Sequence, residues 1–153
     1  MKKICVIILL TSFLCEVVMK NQDNYFINQL DNVTAVRYYA DGQTAEISKG
    51  DSRFNEIISR FAKLLDGYRE MPAFGVSLDN ETVEAMKSGE WVEFVFQEVF
   101  IHNGMPYKRL LMNIQAGNSG FNLIRNYNEK YEGRCFYVEL NEKTMYNFIN
   151  NCT

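Results

Sequence analysis

Between residues 90 and 140, apolar and polar positions alternate in four runs: 90–101, 107–116, 121–128 and 134–140. Glycine stands in each break. A period of two is what a half-buried strand requires, so the pattern predicts a four-stranded antiparallel meander. His102-Asn103-Gly104 fits a three-residue loop with Gly104 left-handed, and a two-residue Asn103-Gly104 turn is the competing form. A slip of one residue moves a whole strand to the other face. The three-residue loop sets Val92, Phe94 and Phe96 opposite Ile114, Met112 and Leu110, whereas the shorter one sets Phe94 against Asn113. The longer loop is therefore the expected one. Gly117-Asn118 fits a two-residue turn pairing Ile114 with Phe121 and Met112 with Leu123. A longer loop over 129–132, ending at Gly133, lets Leu123 face Val138 and Phe121 face Leu140.

With these registers every strand contributes to one apolar face. The first run supplies Val92, Phe94, Phe96 and Phe100, and the second Leu110, Met112 and Ile114. Phe121 and Leu123 come from the third, and Phe136, Val138 and Leu140 from the fourth. Upstream, Phe54, Ile57, Ile58, Phe61, Ala62, Leu64 and Leu65 recur at helical spacing over 51–66. Asp51 or Ser52 is the capping residue and Gly67 the stop. This wide stripe needs a partner, and the apolar face of the meander is the one available.

Smaller elements complete the reading. Asp41-Gly42 between 33–39 and 44–48 marks an edge β-hairpin with mixed faces. A short strand is expected over 73–78, a short helix from Asp79 to Ser88 closed by Gly89, and a last helix capped by Asn141. The predicted fold class is α+β: a curved antiparallel β-meander packed on one main helix, with an N-terminal β-hairpin and two short helices. Residues 33–153 form that single domain, residues 20–32 a tether, and residues 1–19 a leader.

The leader is the main functional clue. Met1-Lys2-Lys3 is followed by an almost wholly apolar stretch to Leu14, with Glu16 the first acid, as in a secretory signal. No small-x-small cleavage site follows, and the run is shorter than the roughly 20 apolar residues of a comfortable membrane span. Cys15 resembles the lipidation cysteine of a bacterial lipoprotein signal, although Phe13 and Leu14 stand where that pattern has small residues. A cleaved signal, a short membrane anchor and lipidation are the alternatives. Each puts the domain outside the cytoplasm, secreted or membrane-anchored.

Composition changes the picture little. At 47% hydrophobic and 23% charged, the 153 residues can bury a core and do not read as disordered. A formal net charge of -3 gives no basic footprint for nucleic acid. Outside the leader only Cys135 and Cys152 remain. In an oxidising compartment they are a candidate disulfide, contributing on the order of 3 kcal/mol, against the alternative of two separate thiols.

No catalytic, cofactor or metal motif stands out. His102 is the one histidine and cannot build a histidine-rich zinc site. At a hairpin tip it is expected to be an exposed turn residue. Cys135, mid-strand, is badly placed to be its nucleophile partner. Glu90 and Glu93 are expected to be solvent-facing acids rather than a glycosidase pair. Gly117-Asn118-Ser119-Gly120 lacks the lysine of a phosphate loop.

The second face of the meander is more suggestive. It mixes rings, amides and charges, and Trp91, Gln97, Arg109, Asn113, Asn122 and Tyr137 are its candidate ligand-binding residues. Such a face suits a sugar or an extended peptide through stacking and planar hydrogen bonds. The expected function is therefore a non-enzymatic binding module for a protein or cell-envelope ligand, without cofactor. A small extracytoplasmic hydrolase and a structural envelope protein are the alternatives.

Overall fold

The computed structural model describes residues 25–71, 78–115, 122–133 and 135–152. Among the described residues eight strands form one antiparallel sheet: β1 (Val33–Ala40), β2 (Gln43–Ser48), β3 (Arg69–Glu70), β4 (Trp91–His102), β5 (Met105–Asn113), β6 (Leu123–Tyr127), β7 (Lys130–Tyr131) and β8 (Phe136–Tyr137). Their order is β2-β1-β4-β5-β6-β8-β3, with β7 paired to β6 off that path. The helices are α1 (Phe54–Leu65), α2 (Asp79–Met86) and α3 (Glu142–Cys152), and a 3-10 helix spans Ile27–Asn32. The α+β class is as expected. The leader with Cys15, the Gly117-Asn118 turn with Phe121, and residues 73–77 of the expected short strand lie outside the described residues.

The predicted apolar face is the core. Val92, Phe94, Phe96, Leu110, Met112, Ile114, Leu123, Phe136 and Val138 are buried together with Phe54, Ile57, Phe61 and Leu65 of α1. The rings of Phe61 and Phe94 stack at 3.6 Å and 6°. Ahead of α1, the Asp51 carboxylate accepts the Arg53 N–H at 2.9 Å and pairs with the Arg53 side chain. Gly67, at φ 97°, lets the chain leave the helix. Asn141 caps α3 through the Thr144 N–H at 2.9 Å. Phe148 and Cys152 bring α3 to the same side of the sheet as α1.

Several expectations are corrected. The β4–β5 turn is the two-residue form, with His102 paired to Met105. The apolar face survives because β4 bulges between Val95 and Phe100, where residues 96–99 stand opposite Lys108 alone. Beyond the bulge the pairs are Val92–Met112 and Phe94–Leu110, two positions away from the expected ones and so on the same face. The bulge also re-aims the hairpin tip. Tyr107, which shares the parity of Arg109 and by simple alternation would lie on the second face, is buried among Phe26, Phe96 and Phe100. Leu123 pairs with Phe136 rather than facing Val138.

The tether is shorter than expected. Phe26 is fully buried, and its ring meets Tyr68, Tyr107 and Phe136, so residues from Tyr25 on belong to the domain. Of the two alternatives for the cysteine pair the structure has the second: Cys135 and Cys152 are free thiols, both buried. They belong to separate clusters, Cys152 in the core under α1 and α3, Cys135 with Trp91, Leu111, Ile124 and Tyr131. The sheet lies between them.

Three hairpin turns among the described residues share one backbone shape, positive φ at both central positions. They are Asp41-Gly42 (50° and 73°), Asn103-Gly104 (51° and 75°) and Asn128-Glu129 (51° and 62°). The last replaces the loop expected over 129–132, with Tyr127 paired to Lys130. A left-handed residue other than glycine costs roughly 1–2 kcal/mol, and asparagine and aspartate bear it best. Glu129 is thus the exception at the position where the other two turns have glycine.

Replacing Phe61 by alanine removes the ring stacked on Phe94 and leaves a cavity at the helix–sheet contact. The expected loss is about 3–5 kcal/mol, measured as a lower urea midpoint at unchanged slope. A loss below about 1 kcal/mol would show that α1 does not seal the sheet.

Candidate functional site

The second face is occupied rather than open. Trp91 is buried, and its indole N–H donates to the Ala85 carbonyl at 3.3 Å, tying the strand to the end of α2. Leu78 and Met86 pack on the same cluster, so α2 covers this part of the sheet. Gly89 leaves the room the indole needs, since a Cβ there would sit 2.6 Å from its nitrogen. Asn113, the cross-strand partner of Trp91, turns its side-chain oxygen to the Gln115 N–H at 2.9 Å. Asn122 clamps Val138 from both sides, donating to its carbonyl at 2.7 Å and accepting its N–H at 2.8 Å. These three residues hold the fold together. Gln97 is exposed in the β4 bulge, and Tyr137 is half-buried on β8 beside Arg69. Of the six, the structure brings together Trp91 and Asn113, and leaves Gln97, Arg109 and Tyr137 in contact with solvent.

Arg109 belongs to a charge layer that the sequence did not reveal. Glu93, expected at the surface, is fully buried. Its carboxylate accepts the Tyr39 hydroxyl at 2.9 Å and the Tyr131 hydroxyl at 3.0 Å. Arg37 lies 3.4 Å away on one side and Arg109 4.0 Å away on the other. Each arginine carries an outer acid as well, Glu46 at 2.9 Å on Arg37 and Glu129 on Arg109. Acid and base therefore alternate from β2 across β1, β4 and β5 to the β6–β7 turn. Burial, reinforced by Glu93, pushes the Tyr39 hydroxyl up to about 12 and raises that of Tyr131. The Arg109 hydrogen bond holds the Glu129 carboxyl below its usual range. A buried carboxylate is tolerable only when paired in this way, so the layer fixes the register of β1 on β4. Arg37 and Tyr39 alternate onto one face of β1, but nothing local says that β4 is their neighbour.

On the other side of the molecule, α1, β3 and α3 border a groove of about 710 Å³. Ser59, Lys63, Arg69, Asn141, Thr144 and Asn147 are among its lining residues, with Phe148 against the core. Arg60 of the same wall is paired to Glu56 at 2.5 Å. Lys63 and Arg69 make no ion pair among the described residues. Glu56, Asp66 and Glu139 also line it, so the groove carries both signs of charge beside amides and hydroxyls, which suits a polar ligand of several groups. Sequence reading missed it because it lies between elements distant in the chain.

His102 is buried too, 4% exposed, on the core side of the sheet. Cys135 sits in the opposite cluster, and burial pushes its thiol up to about 11, so the pair does not form a thiolate–imidazole site. Among the described residues, no three His, Cys, Asp or Glu side chains converge as a metal site would need. Arg125, itself buried, donates to the His102 carbonyl at 2.9 Å, lies 3.1 Å from Nδ1 and stacks over Phe136. A guanidinium only donates, so Nδ1 is the acceptor and Nε2 carries the proton, facing the Tyr68 hydroxyl at 3.5 Å. Burial first, and Arg125 second, lower the imidazole below its ordinary 6.5.

Because the folded imidazole binds its proton less readily than the unfolded one, its contribution is complete above about pH 6.5 and is lost as pH falls toward the folded value. Stability measured by urea unfolding should therefore fall as the pH is lowered below about 6.5. His102→Gln should flatten that slope, and an unchanged slope would show that His102 titrates normally. Compared with known protein families, curated proteins and solved structures, the chain matches none at a significant level.

Proposed function

We propose that the protein is a non-enzymatic binding module, exported or membrane-anchored through residues 1–19, which takes a protein or cell-envelope ligand in the groove between α1 and α3. The observation that carries this reading is a groove of about 710 Å³ in which Lys63 on α1 and Arg69 on β3, neither in an ion pair among the described residues, converge with amides, hydroxyls and the acids Asp66 and Glu139. In the same wall Arg60 is engaged by Glu56, and elsewhere on the described surface Arg37, Arg53 and Arg109 are each engaged by an acid. Long cationic side chains left open beside fixed donors can close on a ligand without first breaking an internal pair. The groove walls are rigid elements, α1 and α3, both anchored in the core by Phe61 and Phe148. That favours a preformed site.

The test is binding to immobilised saccharide and peptide arrays. Lys63→Ala with Arg69→Ala should weaken the strongest interaction at least about tenfold, equivalent to about 1.4 kcal/mol, while circular dichroism stays unchanged. Arg109→Lys, on the far face, should leave it intact. Binding that is indifferent to the groove pair would sink the assignment. Cell fractionation with intact-mass analysis is expected to find the chain outside the cytoplasm, with its first residues removed, lipidated or embedded.

A further inference from the structure

Of the large apolar side chains exposed among the described residues, two lie together at the end of β4, Val99 at 45% and Ile101 at 63%. Beyond the bulge, the cross-strand pair Phe100 and Tyr107 turns toward the core. Alternation therefore sends Val99 and Ile101 to the outer side. Pro106, the cross-strand partner of Ile101, is exposed there too, and so is Lys108 two residues along β5. The outer side of the hairpin end is thus an apolar knob of Val99, Ile101 and Pro106. Exposed Glu98, next to Val99 in the chain, offsets Lys108, so charge gives the knob no preference for an anionic partner.

The start of the domain is fastened to this same end. The Tyr25 hydroxyl donates to the Ile101 carbonyl at 2.6 Å, and the Tyr25 ring lies 4.6 Å from that of His102. Phe26 is fully buried, its ring 4.8 Å from His102. Met19 ends the leader six residues before Tyr25. Fully extended, that length of chain spans at most about 22 Å, and a folded domain of this size is about 35 Å across. An anchor in residues 1–19 therefore keeps the β4–β5 end, rather than the Trp91 end of β4, next to the bilayer. Such an anchor holds weakly alone. Its apolar run is shorter than a comfortable span, and a single acyl chain on Cys15 would give only marginal binding.

We infer that Val99, Ile101 and Pro106 sink into the headgroup region of the bilayer that holds residues 1–19, so that the domain lies on the membrane with its β4–β5 end down. The inference rests on the anchored form of the proposed function and adds the surface that meets the lipid. Each apolar side chain withdrawn from water there strengthens the hold of the leader.

The test uses the full chain reconstituted with phosphatidylcholine vesicles, with and without brominated acyl chains that quench indole fluorescence on contact. Ile101→Trp should sediment with the vesicles, emit to the blue of its position in detergent-free buffer, and lose most of the emission it adds over buried Trp91 when the lipid is brominated. Pro106→Trp, across the same pair, should behave alike. Val83→Trp, on the exposed side of α2 near the other end of β4, should sediment equally and stay unquenched. Sedimentation without quenching at either tip position would overturn the inference and leave the anchor standing. A blue-shifted tip that brominated lipid does not quench would show a protein cover instead, and equal quenching at Val83→Trp would show no preferred end; each overturns it. A chain left in the supernatant would remove the anchored reading and the inference together.

Discussion

Burial of one face of a coiled antiparallel sheet under α1 is the constraint on which the rest depends. Phe61 stacks on Phe94, and around that contact β4, β5, β6 and β8 each send alternate side chains to the same side. Once this face is buried, the opposite parity of each strand is committed to the other side. Trp91, Glu93, Leu111 and Ile124 then have no choice of environment. They must be covered, and α2 with Tyr131 covers them. The charge layer follows from the same commitment. Glu93 lies between two core-facing residues of β4, so its carboxylate is carried into a covered site. The arginines and tyrosines around it are what make that bearable.

The β4 bulge is where local turn chemistry and face burial are reconciled. Asn103-Gly104 favours the two-residue turn, which taken alone would rotate the apolar residues of β4 away from the helix. The extra residues over 96–99 restore the parity beyond the bulge and bend the hairpin tip. That bend brings Tyr107 and His102 inward against Phe26, where Arg125 meets the imidazole. A single irregularity thus accounts for three departures from the expected pattern: the shifted register, the inward Tyr107 and the buried histidine.

Polar residues divide into those that complete the fold and those that remain available. Asn122, Asn113 and Trp91 use their hydrogen-bonding groups on neighbouring backbone, which is the usual fate of a buried polar group. Lys63 and Arg69 in the groove keep cationic ends at the surface. Residue type alone does not separate the two groups, because an asparagine on a strand reads the same whether its amide meets a ligand or a carbonyl two strands away.

The order of hydrophobic and polar residues by itself determined the class of fold, the helix that seals the sheet, the membership of the apolar face, the Asp41-Gly42 hairpin and the Asn141 cap. All of these follow from short-range rules: period two, period 3.6, and turn or cap chemistry within four residues. Only the tertiary structure decided the neighbours of β1 and β3, the side of the sheet on which α2 and α3 lie, the separation of Cys135 from Cys152, and the burial of Glu93 and His102. Those depend on which distant segments meet. A strand's alternation says that it has two faces, but what covers the second face depends on packing between segments far apart in the chain.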